Sequence, residues 1–248
     1  MKFAIISDIH SDFKSLEKAF REIRKSGYDH FVCLGDIVGY SYHYHKYLDG
    51  RDPDACIELV KEYCDISIAG NHDLYWSERL CDYFISAGIP GNWYDLDLTQ
   101  RLEISEGRFW LYDDEENHPV MEENIKYLRS LPETKIFPCK KFSILFTHFL
   151  YPDLTGSTRW FPEEDKDFMP HLKYMNSCKC ILGIMGHGHL QGYSVTSGKK
   201  LIYNYFGEYQ LGKYPQAIII PAITRGDSLN GYFMLDSDSM KLEAIKLD

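Results

Sequence analysis

The chain has 248 residues, enough to bury a sizeable core without disulfides or metal staples. It carries 27 Lys and Arg against 37 Asp and Glu, a net charge of -10, so it lacks the basic footprint that broad nucleic-acid binding requires. Its composition, 44% hydrophobic, is that of an ordinary globular protein, and its longest apolar runs, Ile181 to Met185 and Ala217 to Ile223, are too short to span a bilayer. Seven irregularly spaced cysteines, no Asn-x-Ser/Thr acceptor and no secretory leader before the first strand pattern point to a reducing, cytoplasmic setting.

Phe3 to Ser7 reads as a short strand, followed at once by Asp8 and His10. Ser11 or Asp12 then caps a helix whose apolar face is Phe13, Leu16, Phe20 and Ile23, and Gly27 ends it. The next strand, Phe31 to Gly35, runs into Asp36, so the chain opens with a parallel pair and a right-handed crossover. Tyr40 to Arg51 is a loop rich in Tyr and His, and Asp52-Pro53 opens a helix over Ala55 to Tyr63. Asp65 to Ala69 is a third strand, ending in Gly70-Asn71-His72-Asp73.

Leu74 to Ala87 reads as helical, Gly88 to Gln100 as turn-rich, and Glu103 to Asp114 as irregular or helical. A helix starts at Pro119 and stops before Pro132. Lys135 to Phe137 and Phe142 to Phe146 form a hairpin that ends in Thr147-His148. Phe149 to Met175 has no strand pattern and reads as an inserted loop with a helix. Ile181 to Met185 is a buried strand followed by Gly186-His187-Gly188-His189. Tyr193 to Thr196 and Lys200 to Tyr203 pair around Ser197-Gly198. Ala217 to Ile220, Gly231 to Leu235 and Leu242 to Leu247 close the chain as antiparallel-type strands. With no repeat, low-complexity segment or linker, residues 1–248 read as one domain.

Five apolar runs thus end in metal-type ligands: Asp8 and His10, Asp36, Asn71 and His72, His148, and His187 and His189. In an open sheet with helical crossovers, ligands bind beyond the carboxyl ends of the strands. Residues two apart in extended chain point the same way, so each of the pairs 8/10 and 187/189 can face one site. Any one of these residues alone is more often a helix cap or a satisfied histidine; five at strand ends together are not explained that way. Imidazoles, carboxylates and one amide suit Mn, Fe, Zn, Co or Ni, with Mn or Fe favoured. The set exceeds one tetrahedral zinc site but suffices for two divalent ions if one carboxylate bridges. Cys178 and Cys180 read as buried thiols at a strand start rather than a metal pair.

These blocks, with Gly35-Asp36, Gly70-Asn71-His72-Asp73, Thr147-His148 and Gly186-His187-x-His189 in order, resemble the calcineurin-like metallophosphoesterases, most closely a compact bacterial and archaeal phosphodiesterase-like branch. The resemblance covers about residues 1–200. It implies an α/β fold of four layers, an α/β/β/α sandwich of two mixed sheets with outer helices. It also implies one metal on Asp8, His10 and His189, another on Asn71, His148 and His187, Asp36 bridging, and His72 as a catalytic proton donor or charge stabiliser near the leaving-group oxygen. Asp73 either orients His72 or caps the following helix. The chain departs from the pattern in its longer Tyr40–Arg51 loop and in the missing Asn-Pro-Gly-Ser segment, whose nearest counterpart is Tyr203 to Gly207.

The expected activity is hydrolysis of a phosphate mono- or diester by a hydroxide bridging two metals, on a small phosphate-ester substrate. No substrate-binding residue is assigned. The Tyr/His loop is a solvated excursion or an aromatic rim, and Arg159 is a surface arginine or a phosphate clamp. The alternatives are a catalytically silent scaffold of the same fold, disfavoured by the complete ligand set, and a metal-dependent nuclease.

Overall fold

The computed structural model describes residues 1–84 and 89–247. The first half runs β1 (Lys2–Ile6), α1 (Phe13–Ser26), β2 (His30–Cys33), α2 (Tyr42–His45), α3 (Pro53–Tyr63), β3 (Ile66–Ser67), α4 (Asn71–Trp76), α5 (Leu80–Phe84), α6 (Leu98–Ser105) and α7 (Glu122–Ser130). The second runs β4 (Thr134–Pro138), β5 (Ser143–Thr147), α8 (Met169–Ser177), β6 (Cys180–Met185), β7 (Tyr193–Thr196), β8 (Ile202–Asn204), β9 (Gly207–Gln210), β10 (Gln216–Ile219), β11 (Gly231–Asp236) and β12 (Lys241–Lys246). They build two six-stranded sheets, ordered β3-β2-β1-β11-β12-β9 and β4-β5-β6-β10-β7-β8.

Strand alternation makes the layers. Phe3 and Ile5, Val32 and Leu34, Ile144 and Phe146, Leu182 and Ile184, and Ile218 and Ile220 fill one core between the sheets. The intervening Ala4, Ile6, Phe31 and Cys33 face a second core with Leu16, Phe20 and Ile23 of α1 and Ile57 and Val60 of α3. Leu145, Ala217 and Ile219 face a third with Leu172 and Met175 of α8. Strands apolar on both faces are what a sheet buried on both sides requires. The four-layer α/β/β/α sandwich of two mixed sheets follows. The caps behave as their sequences dictate, with Asp12 accepting from Ser15 N (3.2 Å) and Asp52 from Ala55 N (2.9 Å).

Several elements differ from the sequence reading. The helix expected over 74–87 is two pieces, α4 and α5, and residues 85–87 lie outside the described residues. The turn-rich region holds one 3-10 turn, Trp93–Asp95, and α6 starts at its end and runs into the stretch read as irregular or helical. β10 pairs parallel with β6 as well as antiparallel with β7, because Ile220 and its neighbours continue the buried sheet rather than starting a meander. β9 was not expected; its half-exposed Gly-Glu-Tyr-Gln carries little apolar signal.

His171 on α8 is fully buried, accepting Tyr151 N–H at Nδ1 (3.0 Å), and burial pushes its imidazole down to about 4. A lowered folded value means the unfolded chain binds more protons between pH 6.5 and 4. Its contribution is therefore complete above pH 6.5 and is lost as pH falls toward 4, amounting to at most about 3 kcal/mol. Urea unfolding of His171→Asn, whose Oδ1 can accept the same N–H, should show a smaller stability loss between pH 7 and 4.5 than the parent chain.

Candidate metal centre

The strand ends carry their ligands on bent rather than extended backbone. Asp8, His10, Asp36, His187 and His189 have φ of 55°, 46°, 51°, 63° and 44°. Side chains two apart therefore converge through left-handed turns, which replaces the extended-chain argument made from the sequence. Asp and His are among the residues that tolerate this region best, at a cost of about 1–3 kcal/mol each. A ladder of backbone bonds offsets the cost. Asp8 N donates to Gly35 O (3.0 Å), Ile9 N and His10 N to Asp36 O (2.8 and 2.9 Å), and Ser11 N to Ile37 O (3.0 Å). Glycines admit the close approaches: a Cβ at Gly70 would sit 2.2 Å from Asp36 Oδ1, and one at Gly186 1.8 Å from Ser7 Oγ.

All eight residues singled out from the sequence meet at one cavity or against its buried floor. Ligand atoms of Asp8, His10 and His189 lie within 4.8 Å of one another, as do those of His10, Asp36 and His72, and of Asp36, His148 and His187. Asp36 Oδ2 is common ground, 3.7 Å from His10 Nε2, 4.0 Å from His72 Nε2 and 3.0 Å from His148 Nε2. Asp36 Oδ1 accepts His72 N–H at 2.9 Å, and Asp8 accepts His187 N–H at 3.0 and 2.9 Å. Main-chain carbonyls set two imidazoles: His10 Nδ1–H donates to Gly39 O (2.8 Å) and His148 Nδ1–H to Leu34 O (2.7 Å), which turns both Nε2 atoms inward.

The electrostatics suit cations. Burial alone would raise the Asp8 and Asp36 carboxyls, but the surrounding imidazoles, His189 for Asp8 and His148 for Asp36 foremost, hold both below the usual range. Burial, with the neighbouring imidazoles, drives His10 well below its ordinary value and His187 to about 3, so both stay neutral. Despite burial, Asp36 lifts His148 to about 10, and Asp36 with Glu115 lifts His72 to about 9.

The donor set fits a metal. The Nε2 atom of His187 is buried without a hydrogen-bond partner, and that of His148 faces only the Asp36 carboxylate at 3.0 Å. With Asn71 Nδ2 donating to Tyr112 Oη (3.1 Å), Asn71 Oδ1 faces Asp36 Oδ2 at 3.3 Å and His187 Nδ1 at 3.2 Å. A cation among these acceptors satisfies them together; otherwise the amide must be reversed to donate to them. Ionised carboxylates and neutral imidazoles are the forms that ligate, so a cation binding at His148 would displace its Nε2 proton.

The cavity has a volume of about 370 Å³, with Tyr44, Trp110, Tyr112 and Phe161 in its wall. Phe161 stacks on His187, centroids 5.1 Å apart at 8°. The Tyr40–Arg51 loop is neither purely solvated nor purely a rim. Tyr40, His45 and Tyr47 are buried, Tyr42 is exposed, and Tyr44 reaches the cavity from an exposed position. His45 packs 4.6 Å from His10.

The alternatives at Asp73 and Arg159 resolve in favour of the helix cap and the surface arginine. Asp73 does not orient His72; it accepts from Gly70 N (3.0 Å) at the start of α4 and from Ile37 N (2.9 Å), tying two ligand loops together. Arg159 is exposed over the Trp110 ring (5.0 Å) and is not in the cavity wall. The stretch 203–207 is not in that wall either; Ala222 and residues 224–229 are, and Thr224 N donates to Asp8 O (2.9 Å). Sequence reasoning missed Tyr112, Glu115, His45 and Arg225. Only Arg225 had a signal, because Thr224-Arg225 follows an apolar run just as the metal-type ligands do.

Two sandwiched sheets whose strand ends gather carboxylates and imidazoles define the metallophosphoesterase architecture. The family model described as calcineurin-like phosphoesterase matches residues 1–211, and the chain belongs to that metal-dependent family. It is similar to the uncharacterized protein MJ0912 of Methanocaldococcus jannaschii, 25% identical over 261 residues, which span 99% of this chain and 86% of the relative. In fold it is similar to a metallophosphoesterase from Sphaerobacter thermophilus (TM-score 0.67, 20% identity, 100% of this chain and 88% of the other). It is also similar to hypothetical protein PH1004 from Pyrococcus horikoshii OT3 (TM-score 0.61, 14% identity, 100% and 88%). Among the described residues no helix is long and apolar enough to cross a membrane.

Arg225 is stapled to the fully buried Asp12 through Nε–Oδ2 (2.9 Å) and NH2–Oδ1 (3.0 Å), and to Asp49. Arg225→Ala leaves the Asp12 charge buried and unpaired, which should cost about 3 kcal/mol in chemical unfolding. Arg225→Lys cannot restore the two-pronged pairing and should recover only part of that loss.

Proposed function

We propose that this chain hydrolyses a small phosphate mono- or diester with two divalent cations, Mn or Fe favoured. Asp8, His10 and His189 hold one, and Asn71, His148 and His187 the other. Asp36 is shared between them, and His72 is the proton donor. The observation that carries the reading is the placement of Asp36 Oδ2 against His10, His72 and His148 at once. Bound cations would supply Lewis acidity and a water of lowered pKa.

The chain's own residues do the remainder. His72, held at about 9 against the effect of burial by Asp36 and Glu115, is protonated at neutral pH and lines the cavity. Water oxygen bonds to phosphorus as the P–O bond to the leaving group breaks, its electron pair staying on the leaving oxygen. That oxygen takes the Nε2 proton of His72, and the proton lost by the water returns to His72 through solvent. No covalent enzyme intermediate is required. The aromatic wall of Trp110, Tyr44 and Phe161 shields the site and offers stacking surface to an organic leaving group.

The test is to load the purified chain in turn with Mn, Fe, Zn, Co, Ni or Mg, then measure metal content and turnover of aryl phosphate monoesters and diesters. About two ions per chain and metal-dependent turnover are expected. Asp36→Asn should lose bound metal. His72→Ala should keep it while turnover falls by about 10²- to 10⁴-fold. Trace metal only in replete samples, or a fully active His72→Ala, would contradict the respective assignments.

A further inference from the structure

We infer that the segment from Trp110 to Glu116 is a positioning arm for the Asn71-His72 pair, and that Glu115 is the positioning residue that presents His72 Nε2 to the cavity. This rests on the proposed role of His72 as proton donor.

The Glu115 carboxylate is nearly buried, and its Oε1 pairs with His72 Nδ1. Its Oε2 accepts the indole N–H of Trp76 at 2.5 Å. Trp76 lies on the same short helix as His72, so the carboxylate is held by two groups of α4 at once. An acceptor on Nδ1 selects the form in which Nδ1 carries a proton, and it leaves Nε2 as the only ring nitrogen that can face a substrate. Gly39 approaches the same ring edge, but a Cβ there would lie 2.5 Å from His72 Nδ1, so that position admits no side chain. The carboxylate must come from elsewhere, and the arm supplies it.

The rest of the arm is built to the same end. Tyr112 stacks on Tyr75 (4.4 Å, 16°) and sets its edge against His72 (5.2 Å, 84°). Its hydroxyl meets the Asn71 amide at 3.1 Å. Glu116 N donates to Tyr40 O (2.8 Å), and the Glu116 carboxylate pairs with Arg51, anchoring the arm to the Tyr/His loop. In the reaction Glu115 neither gains nor loses a proton. Nδ1–H stays on His72 throughout, and only the Nε2 proton moves to the leaving oxygen.

The test compares Glu115→Gln, Glu115→Asp and Glu115→Ala with the parent chain and His72→Ala, each zinc-loaded and checked for metal content and thermal midpoint. In a long-range proton–nitrogen spectrum the parent should show a protonated Nδ1 on His72. Glu115→Ala should change that signature, and Glu115→Asp should restore part of it if the variant folds. For Glu115→Gln, kcat with an alkyl leaving group should fall about 10- to 100-fold, with KM little changed. The loss should be smaller with p-nitrophenolate, which leaves without needing a proton. Equal losses for both leaving groups, or an unchanged His72 spectrum in folded Glu115→Ala, would overturn the inference while leaving an inactive His72→Ala unexplained by it. A fully active His72→Ala would instead remove the donor role on which it rests.

Discussion

The site depends on placing one ionised carboxylate, Asp36, in a fully buried position among imidazoles. Left unpaired, such a charge would cost several kcal/mol. The fold offsets this by surrounding Oδ2 with His10, His72 and His148 and by giving Oδ1 the main-chain N–H of His72. The loops after β2 and β3 must therefore nearly touch, and the missing side chain of Gly70 permits it. Asp73 then locks the same two loops by accepting from both, and burial, with Asp36 nearby, raises its own carboxyl to about 7. Asp73 is thus spent on architecture.

The left-handed backbone at five of the ligand positions follows from the same demand. A strand that continued extended would send alternate side chains into the two cores on either side of it. Turning sharply at Asp8, Asp36 and His187 lets polar groups leave the sheet where the apolar alternation stops. The strain is carried by main-chain bonds between β1 and β2 loops and by the carboxylate of Asp8 on His187 N–H. A site of this kind is rigid in its scaffold, with adjustment left to longer side chains at the rim.

That division explains what could be read from the sequence. The ligand blocks were legible because each lies within a few residues of an apolar run of strand length, a local pattern that survives without any knowledge of pairing. The four layers were legible only through the family resemblance of those blocks, with which the runs of Phe3, Ile5 and Val32, apolar on both faces, agree. Glu115 and Tyr112 were not, because they reach the site from an irregular stretch whose placement is set by Tyr75, Trp76 and Tyr40, contacts far away in sequence. His45 hid within a loop whose tyrosines look solvent-directed, and the parallel register of β10 could not be told from a short buried run alone.

The charge balance of the cavity carries the functional argument furthest. A phosphate ester is an anion. Among the described residues lining the cavity the one guanidinium is Arg225, already held by Asp12 and Asp49, whereas Asp36, Asp114, Glu115 and Asp227 bring carboxylates. His72 adds positive charge, but against these carboxylates protein groups alone would repel the substrate the family acts on. The arrangement becomes coherent once cations are counted as part of it: the inward imidazoles, the unpartnered His187 Nε2 and the opposed acceptors around Asn71 are a donor set that fits them. On that account the acidic balance of the chain does not argue against a phosphate substrate, because metal ions held there would supply positive charge locally.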